Sequence, residues 1–218
     1  MKFLIFPYTV LALLNAIFLK NIEFFGVNTG LSWTLSKIIP YATLLIFGIL
    51  IAIWIKNHLY IQMKAARVAL IVLGLAGPFA LGFILSPIYE GDFSKSGSPI
   101  PPGQYPAEFS NADLTVIAIP DCPFCAGSIE KLKVIRKRNP GVRISFVVCS
   151  SNPETLERYI QMAGNQFEVR LSKDLEFLPK VADFSFPTFV QVKNGQPVYK
   201  WSNDQFGVRA VDQLEAAL

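Results

Sequence analysis

Three long apolar runs without a charged side chain dominate the first 89 residues of the chain. They cover residues 3–19, 38–55 and 68–89, and they are 17, 18 and 22 residues long. About 20 residues of helix cross the hydrocarbon core of a bilayer, whereas polar residues interrupt the amphipathic helix of a water-soluble protein at every turn or two. The pattern therefore predicts an α-helical membrane region of three transmembrane helices over residues 1–89, embedded in a lipid bilayer.

The first apolar run also has features of a cleaved signal peptide, because it follows Met1 and Lys2 directly. A small-x-small cleavage pattern is missing before Lys20, however, and two further apolar runs follow in the chain. Retention of this run as a membrane helix is therefore favoured over its removal.

The charges around the apolar runs predict how the membrane region is oriented. The N-terminus and the loop between the second and third runs carry four basic residues and no acidic one, namely Lys2, Lys56, Lys64 and Arg67. The opposite side carries three basic residues, offset by Glu23. Because basic residues collect on the cytoplasmic side, we expect a bacterial inner (plasma) membrane protein with a cytoplasmic N-terminus and an extracytoplasmic C-terminal domain. The bias is small, so the inverted topology stays open.

Residues 90–113 differ in composition from both neighbouring segments. They hold four prolines, three glycines and four serines. Such a composition is typical of a linker with stretches of polyproline II, which would hold the following domain away from the membrane. The alternative is that part of this segment packs as an N-terminal strand of that domain.

From residue 114 to residue 218 the pattern is that of an α/β domain. A continuous apolar run at 114–119 predicts a strand that is covered on both faces, and a second strand is predicted at 143–149 around the apolar run 144–148. Helices are predicted at 122–139, 153–163, 173–182 and 208–217, a short strand at 167–171, and two strands at 188–192 and 198–201 on either side of Asn194-Gly195. That dipeptide is typical of a hairpin turn. Parallel strands with right-handed crossovers, finished by an antiparallel pair, satisfy this order of elements.

The candidate chemistry lies in Cys122 and Cys125, between a predicted buried strand and the next helix. Pro123 suits the first helical position, because its missing N–H would have no partner there. Cys122 then falls at the N-cap, where free backbone N–H groups and the helix dipole should lower the pKa of its thiol from about 8.5. We predict Cys122 as the attacking nucleophile and Cys125, one turn further along, as the resolving thiol.

Composition argues against several other uses of this cysteine pair. A zinc site needs about four ligands, and only Cys149 and His58 remain, so no metal and no other cofactor is predicted. Haem attachment would need a histidine after the second cysteine, where residue 126 is alanine. A purely structural disulfide over so short a loop would constrain little of the chain. No nucleic acid is expected as a partner either, because the net charge of +4 arises in the apolar half of the chain.

Residues 111–218 resemble a domain of the thioredoxin family. Two motifs carry the resemblance, namely Cys122-Pro123-Phe124-Cys125 and Ser185-Phe186-Pro187-Thr188. In that family the proline that matches Pro187 is cis and faces the redox pair, and the resemblance implies this role for Pro187. It also implies that Phe186 lines the substrate groove, with Pro123 and Phe124 as further substrate contacts. The extra helix and strand within residues 153–171 resemble the insertion in membrane-tethered thioredoxin-like reductases of cytochrome c maturation.

Some residues depart from the family pattern and leave the direction of electron flow open. Asp121 stands where thioredoxins usually have tryptophan, and an exposed loop residue without a role is favoured over a local carboxylate. The Pro123-Phe124 dipeptide replaces the acidic residue that maturation-type reductases usually carry inside the motif. Cys149 ends the second predicted strand and is interpreted as a buried core cysteine, with a third redox thiol as the alternative.

Together these features predict a membrane-anchored thiol–disulfide oxidoreductase that serves cell redox homeostasis. It would reduce or exchange disulfides and thiols in exported, extracytoplasmic proteins. The alternatives are a net disulfide oxidase of the same architecture and a non-catalytic membrane scaffold that uses the thioredoxin-like fold as a binding module. Because the apolar runs contain no cysteine, they cannot pass electrons by thiol exchange. They either anchor the domain or dock a membrane electron donor or acceptor.

Overall fold

The computed structural model describes residues 5–60, 62–93, 97–172 and 174–218. It divides the chain into two compact units, Met1–Ile88 and Tyr89–Leu218. This division coincides with the change of composition near residue 90. Residues 3 and 4 of the first predicted span lie outside the described residues.

The described part of the first unit is helical. Its helices are α1 (Ile5–Ile17), α2 (Leu19–Asn28), α3 (Trp33–His58) and α4 (Lys64–Leu85). Both α3 and α4 are long and apolar enough to cross a membrane. They contain the second and nearly all of the third predicted span, although α4 ends four residues before residue 89.

The first predicted span does not form one straight helix. The helix is interrupted at Phe18, and α1 and α2 meet there at an angle of 66°. The break lies at the end of the apolar run. Beyond it, the first turns of α2 carry Lys20 and Glu23, and the hydrocarbon core of a bilayer disfavours such charged side chains. Among the described residues, two of the three predicted spans are therefore helices long and apolar enough to cross a membrane, and there are three candidate spans if the bent pair crosses as one.

Small residues let α3 and α4 pack closely against each other. Gly74 of α4 lies against Ile51 and Ile55 of α3, and Gly48 of α3 lies directly against the backbone of Leu75. A side chain at position 48 would overlap the carbonyl of Leu75. These glycines therefore serve packing within the first unit, as small residues commonly do between membrane helices.

The second unit is built on a mixed sheet of six strands. The strands are β1 (Ser98–Pro99), β2 (Leu114–Ala118), β3 (Ile144–Val148), β4 (Glu168–Leu171), β5 (Thr188–Lys193) and β6 (Gln196–Trp201). Their order is β1-β6-β5-β2-β3-β4. The central strands β2, β3 and β4 are parallel, whereas β5, β6 and β1 join antiparallel. Every residue of β2 and β3 is buried, which explains their unbroken apolar pattern.

The helices of the second unit complete an α/β arrangement. They are α5 (Glu90–Phe93), α6 (Pro123–Arg138), α7 (Pro153–Ala163), α8 (Phe177–Val181) and α9 (Val208–Glu215). The helical stretch predicted at 173–182 is shorter than expected, and residue 173 lies outside the described residues. Positive φ angles of 52° at Asn194 and 74° at Gly195 confirm the predicted hairpin turn.

Much of the segment predicted as a linker folds with the second unit. β1 pairs with β6 at the edge of the sheet, and Phe109 in a short 3₁₀ turn is fully buried. Tyr105 packs edge-on against Phe109 and against Phe177 of α8. Part of residues 90–113 thus packs as a strand of the second unit, which was the alternative to an extended tether. The aromatic side chains of this segment pack on the core of that unit.

The start of the second unit is fixed to its last helix. Gly91 of α5 lies directly against the backbone of Gln205 and Gly207, with no room for a Cβ. The carboxylate of Asp92 accepts hydrogen bonds from the N–H groups of Val208 (3.2 Å) and Tyr89 (2.8 Å). Asp92 therefore satisfies an N–H at the beginning of α9, although it lies more than a hundred residues away in the chain.

We predict that Gly91→Ala destabilises the second unit by roughly 1–3 kcal/mol, because the added methyl overlaps the backbone of Gln205 and Gly207. Thermal unfolding of the full chain in detergent measures the effect. Gly127→Ala in α6 is the matched control, because no atom lies within 4 Å of a Cβ at that position. Equal melting temperatures for the two variants would contradict the close contact at Gly91.

Candidate redox site

The predicted redox pair lies where β2 gives way to α6. Cys122 is the N-cap residue of α6 and Pro123 occupies its first turn, as predicted. The Cys122 sulfur accepts a hydrogen bond from the backbone N–H of Cys125 at 3.1 Å. Cys122 is 9% exposed and Cys125 is 0% exposed. Of the two cysteines, therefore, only Cys122 retains solvent-accessible surface.

The two cysteines are joined as a disulfide, with their Cα atoms 5.2 Å apart, a separation common for such bonds. In the reduced state the Cys122 sulfur would lie at the N-terminus of α6, where it already accepts an N–H group. The first turn of a helix stabilises an anion by its free N–H groups and its dipole. The geometry therefore suits reversible opening and closing of this disulfide, with Cys122 as the attacking sulfur.

The second predicted motif reaches the same edge of the sheet. β5 runs antiparallel to β2, with Thr188 opposite Ile117, so the residues before β5 lie beside the loop that follows β2. The Phe186-Pro187 bond is cis, as the resemblance implied. Pro187 is buried and Phe186 is half-buried. The fold thus brings the two motifs of the predicted site to one edge.

Two aromatic side chains at this edge are exposed to solvent. Phe124, inside the redox motif, is 65% exposed, and Phe184 is 69% exposed. The backbone of Phe184 has φ of 56°, which is uncommon for a bulky residue. Lys200 fixes the preceding turn, because its ammonium group donates to the Val181 carbonyl at 2.8 Å and to the Asp183 carboxylate at 2.5 Å. No sequence pattern marked Phe184, because its turn contains no glycine that would indicate a positive φ.

Asp121, directly before Cys122, has a charged partner. Its carboxylate forms an ion pair with Arg158 of α7 at 2.5 Å, and both side chains are more than half exposed. The residue is thus exposed as predicted, but its charge is offset by a neighbouring cation. An exposed pair of this kind contributes little to stability, yet it reduces the negative charge beside Cys122.

The next residue of α7, Tyr159, also contacts the loop between β2 and α6. Its hydroxyl donates to the Ile119 carbonyl at 2.9 Å. Tyr159 is only 3% exposed, and its ring packs against Phe146 of β3 with 5.2 Å between ring centroids. The sequence analysis did not single out this residue, because a tyrosine in an amphipathic helix carries no local signal of such a contact.

Cys149 follows β3, and its backbone N–H donates to the Ala118 carbonyl at 2.8 Å. It is a free, half-buried cysteine beside the apolar core. Burial raises the pKa of its thiol to about 11, and the nearby charge of Asp174 adds to the rise. Such a thiol is a poor nucleophile at neutral pH, which supports the structural interpretation over a third redox thiol.

The basic residues of α6 are used within the fold. Lys131 donates to the Phe206 carbonyl at 2.8 Å, Arg136 donates to the Val142 carbonyl at 2.7 Å, and Arg138 forms an ion pair with Glu215 at 3.0 Å.

The part of the chain that the structure describes contains no group of three or more His, Cys, Asp or Glu side chains that could hold a metal ion.

Comparisons with known proteins add one likeness. No known family model matches the chain, and no curated protein matches it in sequence. It is similar to the crystal structure of a secreted Mycobacterium tuberculosis disulfide oxidoreductase that is described as homologous to E. coli DsbE. The identity is 16% and the TM-score is 0.40, over 48% of this chain and 80% of that one. The chemistry of this chain therefore has to follow from its own residues.

We predict that Cys149 reacts slowly with iodoacetamide and that its rate rises about tenfold per pH unit between pH 7 and pH 9, without a plateau. The reason is its raised pKa of about 11, which leaves only a small thiolate fraction below pH 9. Mass spectrometry of the oxidised protein measures Cys149 alone, because the other two cysteines are protected as a disulfide. A plateau below pH 9 would show that burial does not control this thiol.

Proposed function

We propose that the chain is a membrane-anchored thiol–disulfide oxidoreductase that reduces or exchanges disulfides in exported proteins. The observation that carries this proposal is the arrangement of the cysteine pair. Cys122 caps α6 and its sulfur accepts the Cys125 N–H at 3.1 Å, while Cys125 is fully buried behind it. This geometry supports a nucleophilic thiolate at Cys122. Cys125 is the resolving thiol, because it reaches a substrate only after that substrate is bonded to the Cys122 sulfur.

The reaction balances with the two cysteines and one substrate disulfide. The Cys122 thiolate attacks one substrate sulfur, the substrate S–S bond breaks, and a mixed disulfide forms while the other substrate sulfur leaves as a thiolate. Cys125 then loses its proton and attacks the Cys122 sulfur, which releases the second substrate thiolate. The substrate gains two electrons, and Cys122 and Cys125 end as a disulfide. The two substrate thiolates take up the proton lost by Cys125 and one from the solvent, which received the Cys122 proton when that thiolate formed.

The edge around the pair supports binding of a polypeptide segment next to the substrate disulfide. Phe186 and Pro187 lie beside the loop that leads to Cys122, and Phe124 is largely exposed. We assign the first two residues to the substrate groove, with Pro123 and Phe124 as further contacts. Aromatic side chains that remain exposed at one edge suit apolar stretches of an incompletely folded substrate.

Repeated turnover needs a second protein that restores the reduced pair. Residues 1–121 contain no cysteine, so the apolar helices cannot pass electrons by thiol exchange. We propose that a dithiol protein of the membrane or of the exported fraction supplies the two electrons. The candidate spans α3 and α4 support an inner-membrane location, and the loop charges favour an extracytoplasmic second unit.

We predict that Cys125→Ser accumulates mixed disulfides with exported proteins, because attack by Cys122 proceeds while its resolution does not. Cys122→Ser should form none and should lose insulin-disulfide reduction by about two orders of magnitude or more. Diagonal gels of membranes prepared after acid quenching detect the adducts. Cys149→Ser is the matched control and should behave as the unchanged chain. Full function of Cys122→Ser in cells would instead support a non-catalytic scaffold.

We also predict that most of the pair is reduced in growing cells, since a reductase needs a supply of electrons to work. Acid quenching followed by alkylation with a mass-adding thiol reagent measures the reduced fraction on a gel. A membrane-impermeant reagent added to spheroplasts before lysis tests whether the pair faces the outside. A mostly oxidised pair would reverse the proposed direction to that of a disulfide oxidase, and protection from the impermeant reagent would invert the proposed topology.

A further inference from the structure

Two consecutive residues of α7 reach the loop that connects β2 to α6. Arg158 pairs with the Asp121 carboxylate at 2.5 Å, and Tyr159 donates to the Ile119 carbonyl at 2.9 Å. The hydroxyl that contacts Ile119 is buried. One buried hydroxyl therefore fixes the start of the loop that carries the attacking sulfur.

A tyrosine hydroxyl has one proton to donate, and Tyr159 donates it to the Ile119 carbonyl. Burial raises the pKa of Tyr159; the Cys122 N–H and Arg158 oppose the rise, and the charge of Asp121 adds to it. The hydroxyl therefore stays protonated at neutral pH and keeps its role as donor to Ile119. Asp121 and Arg158 are the charged side chains that flank this contact on the side of α7.

The position of this loop matters for the chemistry of Cys122. The stabilisation that a helix N-terminus gives to an anion acts only within the first turn, and the Cys122 sulfur accepts the Cys125 N–H at 3.1 Å. A loop that drifts at Ile119 moves the sulfur relative to that N–H group. A contact that holds the start of the loop therefore also holds the sulfur at the N-terminus of α6.

We propose that Tyr159 is a positioning residue for Cys122, whose hydroxyl holds the Ile119 carbonyl at the start of the loop and so keeps the sulfur in the anion-stabilising position. The inference deepens the proposed function and rests on it for the role of Cys122 as the attacking thiol. A tyrosine that served only to pack against Phe146 would need its ring and not its hydroxyl. The two roles are separable by removing the hydroxyl alone.

The test is Tyr159→Phe in the full chain, purified in detergent and reduced. The rate at which iodoacetamide alkylates Cys122 is measured from pH 5 to pH 10, and tandem mass spectrometry assigns the modified sulfur. We expect the midpoint of the pH profile to move upward and the rate at pH 7 to fall about three- to tenfold, the size of effect expected for one lost hydrogen bond. An unchanged profile in a folded variant would overturn the proposal.

Tyr105→Phe is the matched control. Its hydroxyl also donates to a backbone carbonyl, that of Pro101 at 2.5 Å, so the same atom and the same kind of bond are removed outside the redox loop. The control should keep the profile of the unchanged chain. A shift of equal size in both variants would show a general effect of lost tyrosine hydroxyls and would overturn the assignment to Tyr159.

The alkylation rate involves no substrate, so a negative result here is distinguishable from failure of the proposed function, which the Cys122→Ser and Cys125→Ser variants test in cells.

Discussion

A helix begins with backbone N–H groups that no carbonyl of the same helix can reach, and the second unit uses this constraint at the start of α6. Pro123 occupies the first position, where a missing N–H costs nothing, and the Cys122 sulfur accepts the N–H of Cys125. The same hydrogen bond caps the first turn of α6 and places the Cys122 sulfur where an anion is favoured. The chemistry of the pair and the local stability of α6 therefore depend on one hydrogen bond.

The rest of the second unit keeps this helix start in place. β2 is paired on both sides, by β3 and by β5, and all of its residues are buried, so the point at which the chain leaves the sheet is well determined. Antiparallel β5 brings Phe186 and Pro187 to that point. α7, packed on β3 through Tyr159 and Phe146, reaches the loop from the other side. β5 and α7, which are distant from β2 in the sequence, thus both lie next to the four-residue loop between β2 and α6.

Sequence analysis predicted the features that depend on neighbours in the chain. Pro123 after Cys122 marked the start of α6, and Asn194-Gly195 marked the hairpin, because each follows from local backbone preferences. The cis bond at Pro187 came from the family resemblance alone, since an X–Pro bond is cis in only about 5% of cases. The bend at Phe18, the burial of Phe109 and the contact of Tyr159 with Ile119 were missed, because they arise between segments that no local pattern connects.

Burial determines the order in which the two cysteines can act. Cys125 is fully buried and Cys122 is 9% exposed, so an incoming disulfide meets Cys122 first and Cys125 only through it. Under the proposed function each turnover then leaves the pair oxidised, and the first 121 residues have no cysteine with which to restore it. Cys149 cannot replace the missing donor, because burial raises the pKa of its thiol to about 11 and a single thiol carries only half of the electrons required. Under the proposed function, therefore, the pair needs an external electron donor before each new turnover.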